Sequence, residues 1–326
     1  MDVLSRIRVL AGPSALRRWA VASLVANVLI VVTGALVRLT ASGLGCPTWP
    51  RCTDGSYVAH PALGLHGAIE FGNRLLTFVL AAVALLTWLA ALLHRDPDRL
   101  AVRGGRRRDL RWLAGGMALG VPAQAVIGGI SVLTQLNPYV VALHLLASFA
   151  LVGLAVGLVR ASRHVAPVRV PGPWPVVLVR LAFASMVLAV WLGTVVTGSG
   201  PHAGDELAIR NGLNGALVTH LHAGAVYLAV ALTVACLWLV RSRAVVLLLA
   251  VEVLQAALGI TQYRLGLPIG LVALHLLGAS LAVAAATNLL LDVRRARPGV
   301  ASPGSGETLR QDTVSAAAAA RSQRFV

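Results

Sequence analysis

Eight apolar runs, at roughly 19–39, 66–93, 112–133, 139–159, 176–198, 215–239, 244–262 and 268–290, occupy most of this chain of 326 residues. A helix needs about 20 residues to cross a hydrocarbon core of about 30 Å, and each run is near that length. With 57% hydrophobic and 12% charged residues and a mean hydropathy of +0.80, the chain is no ordinary soluble domain. The expectation is an all-α membrane protein with eight transmembrane helices.

Charge placement orients those helices. All 28 basic residues are arginines, and 23 of them lie in the N-terminal segment, in the stretches around 94–111, 160–180 and 240–243, and in the tail. Arg38, Arg51, Arg74, Arg210 and Arg264 fall at the opposite ends of the runs. The positive-inside rule then puts both termini in the cytoplasm of a bacterial cell, with the protein crossing the inner membrane several times. The net charge of +16 is accounted for by topology, so nucleic acid is not an expected partner. Arg6, Arg8, Arg17 and Arg18 before the first run resemble the start of a secretory signal, but the run is of spanning length and lacks a small-x-small cleavage site. It is read as the first helix.

An internal repeat divides the spans. Gln-Ala-Val-Ile-Gly at 124–128 and Val-Ala-Leu-His-Leu-Leu at 141–146 return as Gln-Ala-Ala-Leu-Gly at 255–259 and Val-Ala-Leu-His-Leu-Leu at 272–277. Gln124 and Gln255 are 131 residues apart, as are His144 and His275. Val31-Val32-Thr33-Gly34 similarly recurs as Val195-Val196-Thr197-Gly198. Two pseudo-symmetric four-helix bundles related as a parallel repeat are expected, because each half starts inside and holds an even number of spans. The boundaries read as a cytoplasmic segment 1–18, an N-terminal half 19–159, a proline-bearing cytoplasmic linker 160–175, a C-terminal half 176–296 and a disordered cytoplasmic tail 297–326.

Topology also sorts the nine histidines. His94 and His164, among the cytoplasmic arginines, and His60, in an outer loop, are expected to be solvated. His144 and His275 lie a few residues into helices entering from outside, with His220 and His222 at similar depth in the sixth span. Intramembrane polar residues usually face the bundle interior, where the bland role is a helix-to-helix hydrogen bond. Recurrence at matched positions favours a shared function, and His222 with His275 has the disposition of two axial imidazoles of one haem. His220 points about 200° away from His222 on the helix and is the weaker candidate. His202, in Gly-Pro-His-Ala-Gly-Asp at 200–205, either lines a haem edge or caps a loop.

In the second span His66, Glu70, Asn73 and Arg74 share one helical face. Glu70 is a functional candidate, with Arg74 four residues on as its structural ion-pair partner. Glu252, in the seventh span, ranks below it, since the equivalent first-half residue is Val121. Cys46 and Cys52 sit in the first outer loop, the side on which disulfides persist, whereas Cys236 reads as a small apolar residue.

These residues together resemble the haem A synthase family over nearly the whole chain except the tail. The resemblance rests on Thr33-Gly-Ala-Leu-Val-Arg-Leu-Thr40 running into Ser42-Gly-Leu-Gly-Cys46-Pro-Thr-Trp49-Pro-Arg-Cys52, on Ile69-Glu70-Phe-Gly-Asn73-Arg74, and on Gly198-Ser-Gly-Pro-His202-Ala-Gly-Asp205. It implies an oxidoreductase that converts the C8 methyl of haem O to the formyl of haem A for the terminal oxidase. It further implies a haem b cofactor held in the C-terminal half by His222 and His275, and haem O received in the N-terminal half with His144 as an iron ligand. The catalytic carboxylate maps onto Glu70, the haem O site includes Arg74, and the loop disulfide maps onto Cys46 and Cys52. Haem O synthase and cytochrome oxidase assembly factors are the implied partners, with the electron donor open. Where the family often has Glu-x-x-His-Arg, this chain has Asn73 in place of the histidine. Either His144 alone holds the substrate iron, or His66, about 10 Å further along the helix, is the second ligand.

A bis-histidine haem leaves no open position for oxygen, which suits the second-half cofactor to electron transfer. The disulfide loop is either a staple over the substrate or a redox participant. Two rival functions remain: a bis-haem b-type cytochrome for quinol-linked electron transfer, and a proton-relaying transporter, against which the parallel repeat argues.

Overall fold

The computed structural model describes residues 12–96, 107–206 and 208–296. Within them lie eight helices long and apolar enough to cross a membrane. They are α1 (Pro13–Leu39), α2 (Gly64–Leu93), α3 (Arg108–Leu133), α4 (Pro138–Ser162), α5 (Trp174–Ser199), α6 (Gly215–Leu239), α7 (Arg243–Arg264) and α8 (Ile269–Asp292). A short 3-10 turn, Pro61–Leu63, leads into α2 and is capped by the His60 ring, which accepts from the Ala62 amide. The expected disordered tail and the first eleven residues lie outside the described residues.

Helices begin where side chains satisfy their free amides. Asn137, Asn214 and Ser242 accept from Tyr139, Leu217 and Ala244 at the starts of α4, α6 and α7. Proline at the first positions of α1, α4 and α5 does the same by having no amide to satisfy. Four of the eight helices run past the expected apolar limits to take in arginines: α1 contains Arg17 and Arg18, α3 Arg108 and Arg111, α4 Arg160, and α7 Arg243 and Arg264. Hydropathy marks where a helix meets the edge of the hydrocarbon, whereas caps decide where the helix ends.

The first four helices close on themselves, α1 against α2 and α4, and α3 against α2 and α4; α5 to α8 do likewise through α5–α6, α6–α7, α7–α8 and α5–α8 contacts. The two groups meet through α4 and α8, with α1 against α8 and α4 against α5. Small side chains at the crossings, including Ala20, Ala90, Ala114 and Ala155, let the backbones approach closely. The polar pair Ser23 and Thr87 joins α1 to α2 at 2.8 Å in the first-half interior.

The two ends of the protein are unlike. At the arginine-rich end, exposed Trp112, Trp174 and Trp238 stand at helix ends, the usual level of an interfacial aromatic belt. The stretch expected to be a plain linker forms a strand, β1 (Val168–Val170), that pairs in parallel with β2 (Val293–Arg295) directly after α8. Val170 and Val293 are buried there, so the connection between halves is fastened to the last helix. The expectation of a solvated His94 is corrected: it is buried, only 4% exposed, as are Asp96 and Arg107. Arg107 bonds to Asp96, Asp109 and the His164 ring, so opposite charges placed side by side let these groups leave water. His164 itself is exposed, as expected.

The α3–α4 and α7–α8 hairpins turn in the same way. Gln135 and Leu136 have φ of 51° and 58°, and their equivalents Gly266 and Leu267 have 76° and 61°. The Leu136 amide donates to Ser131 at 2.7 Å and that of Leu267 to Gln262 at 2.8 Å, again 131 residues on. A left-handed conformation costs a side-chain-bearing residue about 1 kcal/mol, which glycine avoids. Gln135 is exposed, so Gln135→Gly is expected to raise stability by up to about 0.5 kcal/mol after allowing for the freer unfolded chain. A thermal melt of the detergent-solubilised protein reads this as a Tm raised by about 1 to 2 °C.

Candidate functional site

The histidines are sorted by what lies opposite their rings. His222 of α6 faces Gly193 of α5, where an added Cβ would stand 3.3 Å from the ring. His275 of α8 faces Gly259 of α7 at 3.3 Å, and His144 of α4 faces Gly128 of α3 at 3.2 Å. In each case the ring occupies space that any side chain on the facing helix would take. Among the histidines, only these three have a ring set against a bare α-carbon in the described residues.

His222 and His275 also face one another, with ring centres 6.5 Å apart and planes 82° from parallel. The His222 Nδ1 donates to the Ala189 carbonyl at 2.8 Å, which leaves Nε2 with its lone pair. The main-chain carbonyl of His275 accepts from the Gln255 amide at 2.9 Å, and its Nδ1 is buried without a partner. Two iron–nitrogen bonds of about 2 Å, plus about 1 Å from each nitrogen to its ring centre, require centres about 6 Å apart. The pair therefore fits one iron between two imidazoles. No hydrogen bond joins the rings directly, and the buried His275 Nδ1 makes no helix-to-helix hydrogen bond.

The first half repeats one side of this arrangement. Gln124 Nε2 donates to the His144 carbonyl at 2.9 Å and to Ser148 Oγ, and the His144 Nδ1 is buried and unpartnered like that of His275. No second imidazole faces it among the described residues. His66 is exposed and meets the Ser42 hydroxyl at 2.9 Å through Nδ1, while Asn73 accepts from Thr33 at 2.8 Å.

Glu70 and Arg74 lie beneath the loop that carries the two cysteines. Arg74 bonds Glu70 Oε1 at 2.5 Å, and the Cys46 amide donates to Glu70 Oε2 at 2.6 Å. The same guanidinium donates to the carbonyls of Cys46, Thr48 and Arg51 at 3.0 to 3.1 Å. Cys46 and Cys52 form a disulfide, and both are fully buried. Trp49, in the middle of the loop, lays its indole against Gly129 of α3, the neighbour of the glycine that faces His144. The carboxylate and guanidinium thus form one latch, and the loop it holds packs on α3 one residue from the glycine that faces His144.

The remaining candidates are placed elsewhere. The His202 ring meets the Leu267 carbonyl at 2.9 Å, and its own carbonyl accepts from Arg38 at 2.7 Å, so it ties three connections together at the disulfide end. His220 is exposed and bonded to Ala216 of its own helix. Glu252 is buried, accepts from Thr233 at 3.1 Å and leaves its second oxygen unpartnered. Cys236 is a buried free thiol, as expected. Gln124, Gln255, Gly128, Gly193, Gly259 and Trp49 were not identified from sequence as site residues. The repeat contained the signal for four of them, since each glutamine and glycine begins or ends a duplicated five-residue block.

A family model described as COX15-CtaA, cytochrome oxidase assembly protein, matches residues 17–62 and 65–287, which carry all nine histidines. The chain belongs to the COX15-CtaA family. It is similar to proteins named haem A synthase from Geobacillus kaustophilus, 36% identical over 36% of this chain and 33% of that protein, and from Lysinibacillus sphaericus, 32% identical over 42% of each. Another of that name, from Geobacillus thermodenitrificans, is 34% identical over 36% of this chain and 33% of that protein. The aligned segments thus span well under half the length of these relatives.

For this COX15-CtaA member the latch makes a direct forecast. Arg74→Ala removes the donor to three loop carbonyls, so the buried disulfide is expected to become accessible and to be reduced by dithiothreitol at least about tenfold faster. Thiol labelling against time measures it; an unchanged rate would show that the loop is held by other contacts.

Proposed function

We propose that this chain is a haem A synthase, oxidising the C8 methyl of haem O to the formyl of haem A. The observation that carries the reading is the His222–His275 pair, spaced for one iron within a family of cytochrome oxidase assembly proteins. The relatives named haem A synthase support the substrate class. In this reading the half 176–296 holds haem b through His222 and His275, and the half 19–159 receives haem O through His144. Both termini face the cytoplasm of a bacterial cell, and the disulfide end faces outward across the inner membrane. Haem O synthase, oxidase assembly factors and an electron donor are the partners this function requires.

Haem b bound by two imidazoles would supply one-electron transfer, with no free position for oxygen. The chain's own residues do the rest. Ala189 fixes the proton of His222 on Nδ1, and Gln255 and Gln124 hold the backbone of His275 and His144 at constant height. Gly259, Gly193 and Gly128 admit the rings. The Trp49 indole packs on α3 at Gly129, next to the glycine that admits the His144 ring. Glu70 is held in place by Arg74 and the Cys46 amide, so its charge is already oriented to stabilise positive charge developing at the methyl carbon. His66, exposed beside the latch, is the available second ligand for the substrate iron, with Asn73 turned to α1.

Pigment extraction from the purified protein tests the reading. Haem O and haem A beside haem b support the synthase; two haems b alone would make it a cytochrome, and no pigment a transporter. Glu70→Gln keeps a group able to accept from Cys46 but removes the charge. It is expected to leave the haem b spectrum intact while haem A formation falls by about 100-fold or more. Unchanged product yield would remove the carboxylate from the mechanism. His222→Ala or His275→Ala is expected to abolish the low-spin haem b signal, whose survival would mean a different ligand pair.

A further inference from the structure

Two cavities adjoin at the arginine-rich end, sharing Arg160 and Val165 in their walls. The larger, about 1230 Å³, runs between the halves and is walled mainly by apolar side chains such as Phe149, Leu154, Phe183, Val187, Trp191 and Leu291. The smaller, about 470 Å³, is lined by Arg160, Arg163, Arg241 and Arg243, with Asp292 as its one carboxylate.

That carboxylate is already engaged. Arg160, whose side chain is 10% exposed, donates to Asp292 Oδ1 at 2.8 Å and to Asn288 at 2.6 Å, and Ser242 donates to Asp292 Oδ2 at 2.5 Å. Arg163, Arg241 and Arg243 are exposed and have no side-chain partner among the described residues. Three uncompensated guanidiniums thus line a small hollow that shares a wall with a larger, mainly apolar one. A basic pocket between transmembrane helices, adjoining an apolar cleft, matches a molecule with an anionic head and hydrocarbon tails. A zwitterionic head would set its own cation against these arginines, and a free anion would leave the cleft unused.

We propose that these cavities form a binding site for one anionic phospholipid, its phosphate among Arg160, Arg163, Arg241 and Arg243 and its acyl chains in the cleft between α4, α5 and α8. Bound there, the lipid touches α4 of the first half and α5 and α8 of the second. Guanidiniums suit the head because each offers paired donors to phosphate oxygens.

The test uses the full-length protein, stripped of lipid in detergent, with phosphatidylglycerol as ligand. Native mass spectrometry is expected to show saturable binding of one phosphatidylglycerol per chain with a raised Tm, and neither effect with phosphatidylcholine. The variant Arg163→Gln/Arg241→Gln/Arg243→Gln, which breaks no internal bond, is expected to bind on the order of 100-fold more weakly. Ala150→Trp, which fills the cleft from its wall and leaves every arginine in place, is expected to weaken binding as well. Equal binding of phosphatidylcholine, unchanged affinity in the triple variant, or a Tm shift reproduced by inorganic phosphate alone would each overturn the proposal.

Discussion

The arrangement of this protein depends on imidazole rings packed against helices that carry no side chain at the point of contact. Two helices close enough for a ring to lie within 3.3 Å of a neighbouring Cβ position would otherwise be pushed apart. Glycine in a transmembrane helix costs little, because hydrocarbon offers its backbone no competing partner. The helix therefore persists through Gly128, Gly193 and Gly259 and leaves a slot for each ring. The glutamines one turn away then fix the histidine backbone from the facing helix, so ring height is set twice. Where no glycine stands opposite, as for His220 and His202, the ring meets a carbonyl and serves only local structure.

The disulfide end is organised by a different economy. Loops outside a membrane have no packing partner of their own, and here one guanidinium gathers three loop carbonyls while its carboxylate takes a fourth group, the Cys46 amide. That concentrates the order of the loop in the two side chains Glu70 and Arg74. Structural and chemical readings of Glu70 are consequently compatible: a carboxylate held this firmly needs little reorganisation when charge appears beside it. The opposite end is ordered by the short parallel strand pair and by Arg107 and Arg160, each bridging elements far apart in the chain.

Much of the fold was legible because period and length are local properties. Eight apolar runs near spanning length became eight helices, and the duplicated blocks at 124–146 and 255–277 became hairpins with the same turn. The Glu70–Arg74 pair followed from four-residue spacing on one helix. His94 was misjudged because neighbouring arginines suggested water, while Asp96 and Arg107, eleven residues apart, neutralise each other and permit burial. The strand in the linker was invisible for a similar reason: three residues acquire strand character only when Val293–Arg295 lies alongside.

By itself, then, the sequence determined the number of spans, the duplicated blocks and the short list of polar residues within apolar runs, since each follows from residue type and spacing along one strand of chain. The sequence matched His222 with His275 by depth, and only the tertiary structure decided that their rings face one another. Ring pairing depends on how two helices from distant parts of the chain cross, and a crossing is selected by the shapes of both surfaces at once. No single stretch of residues contains that information.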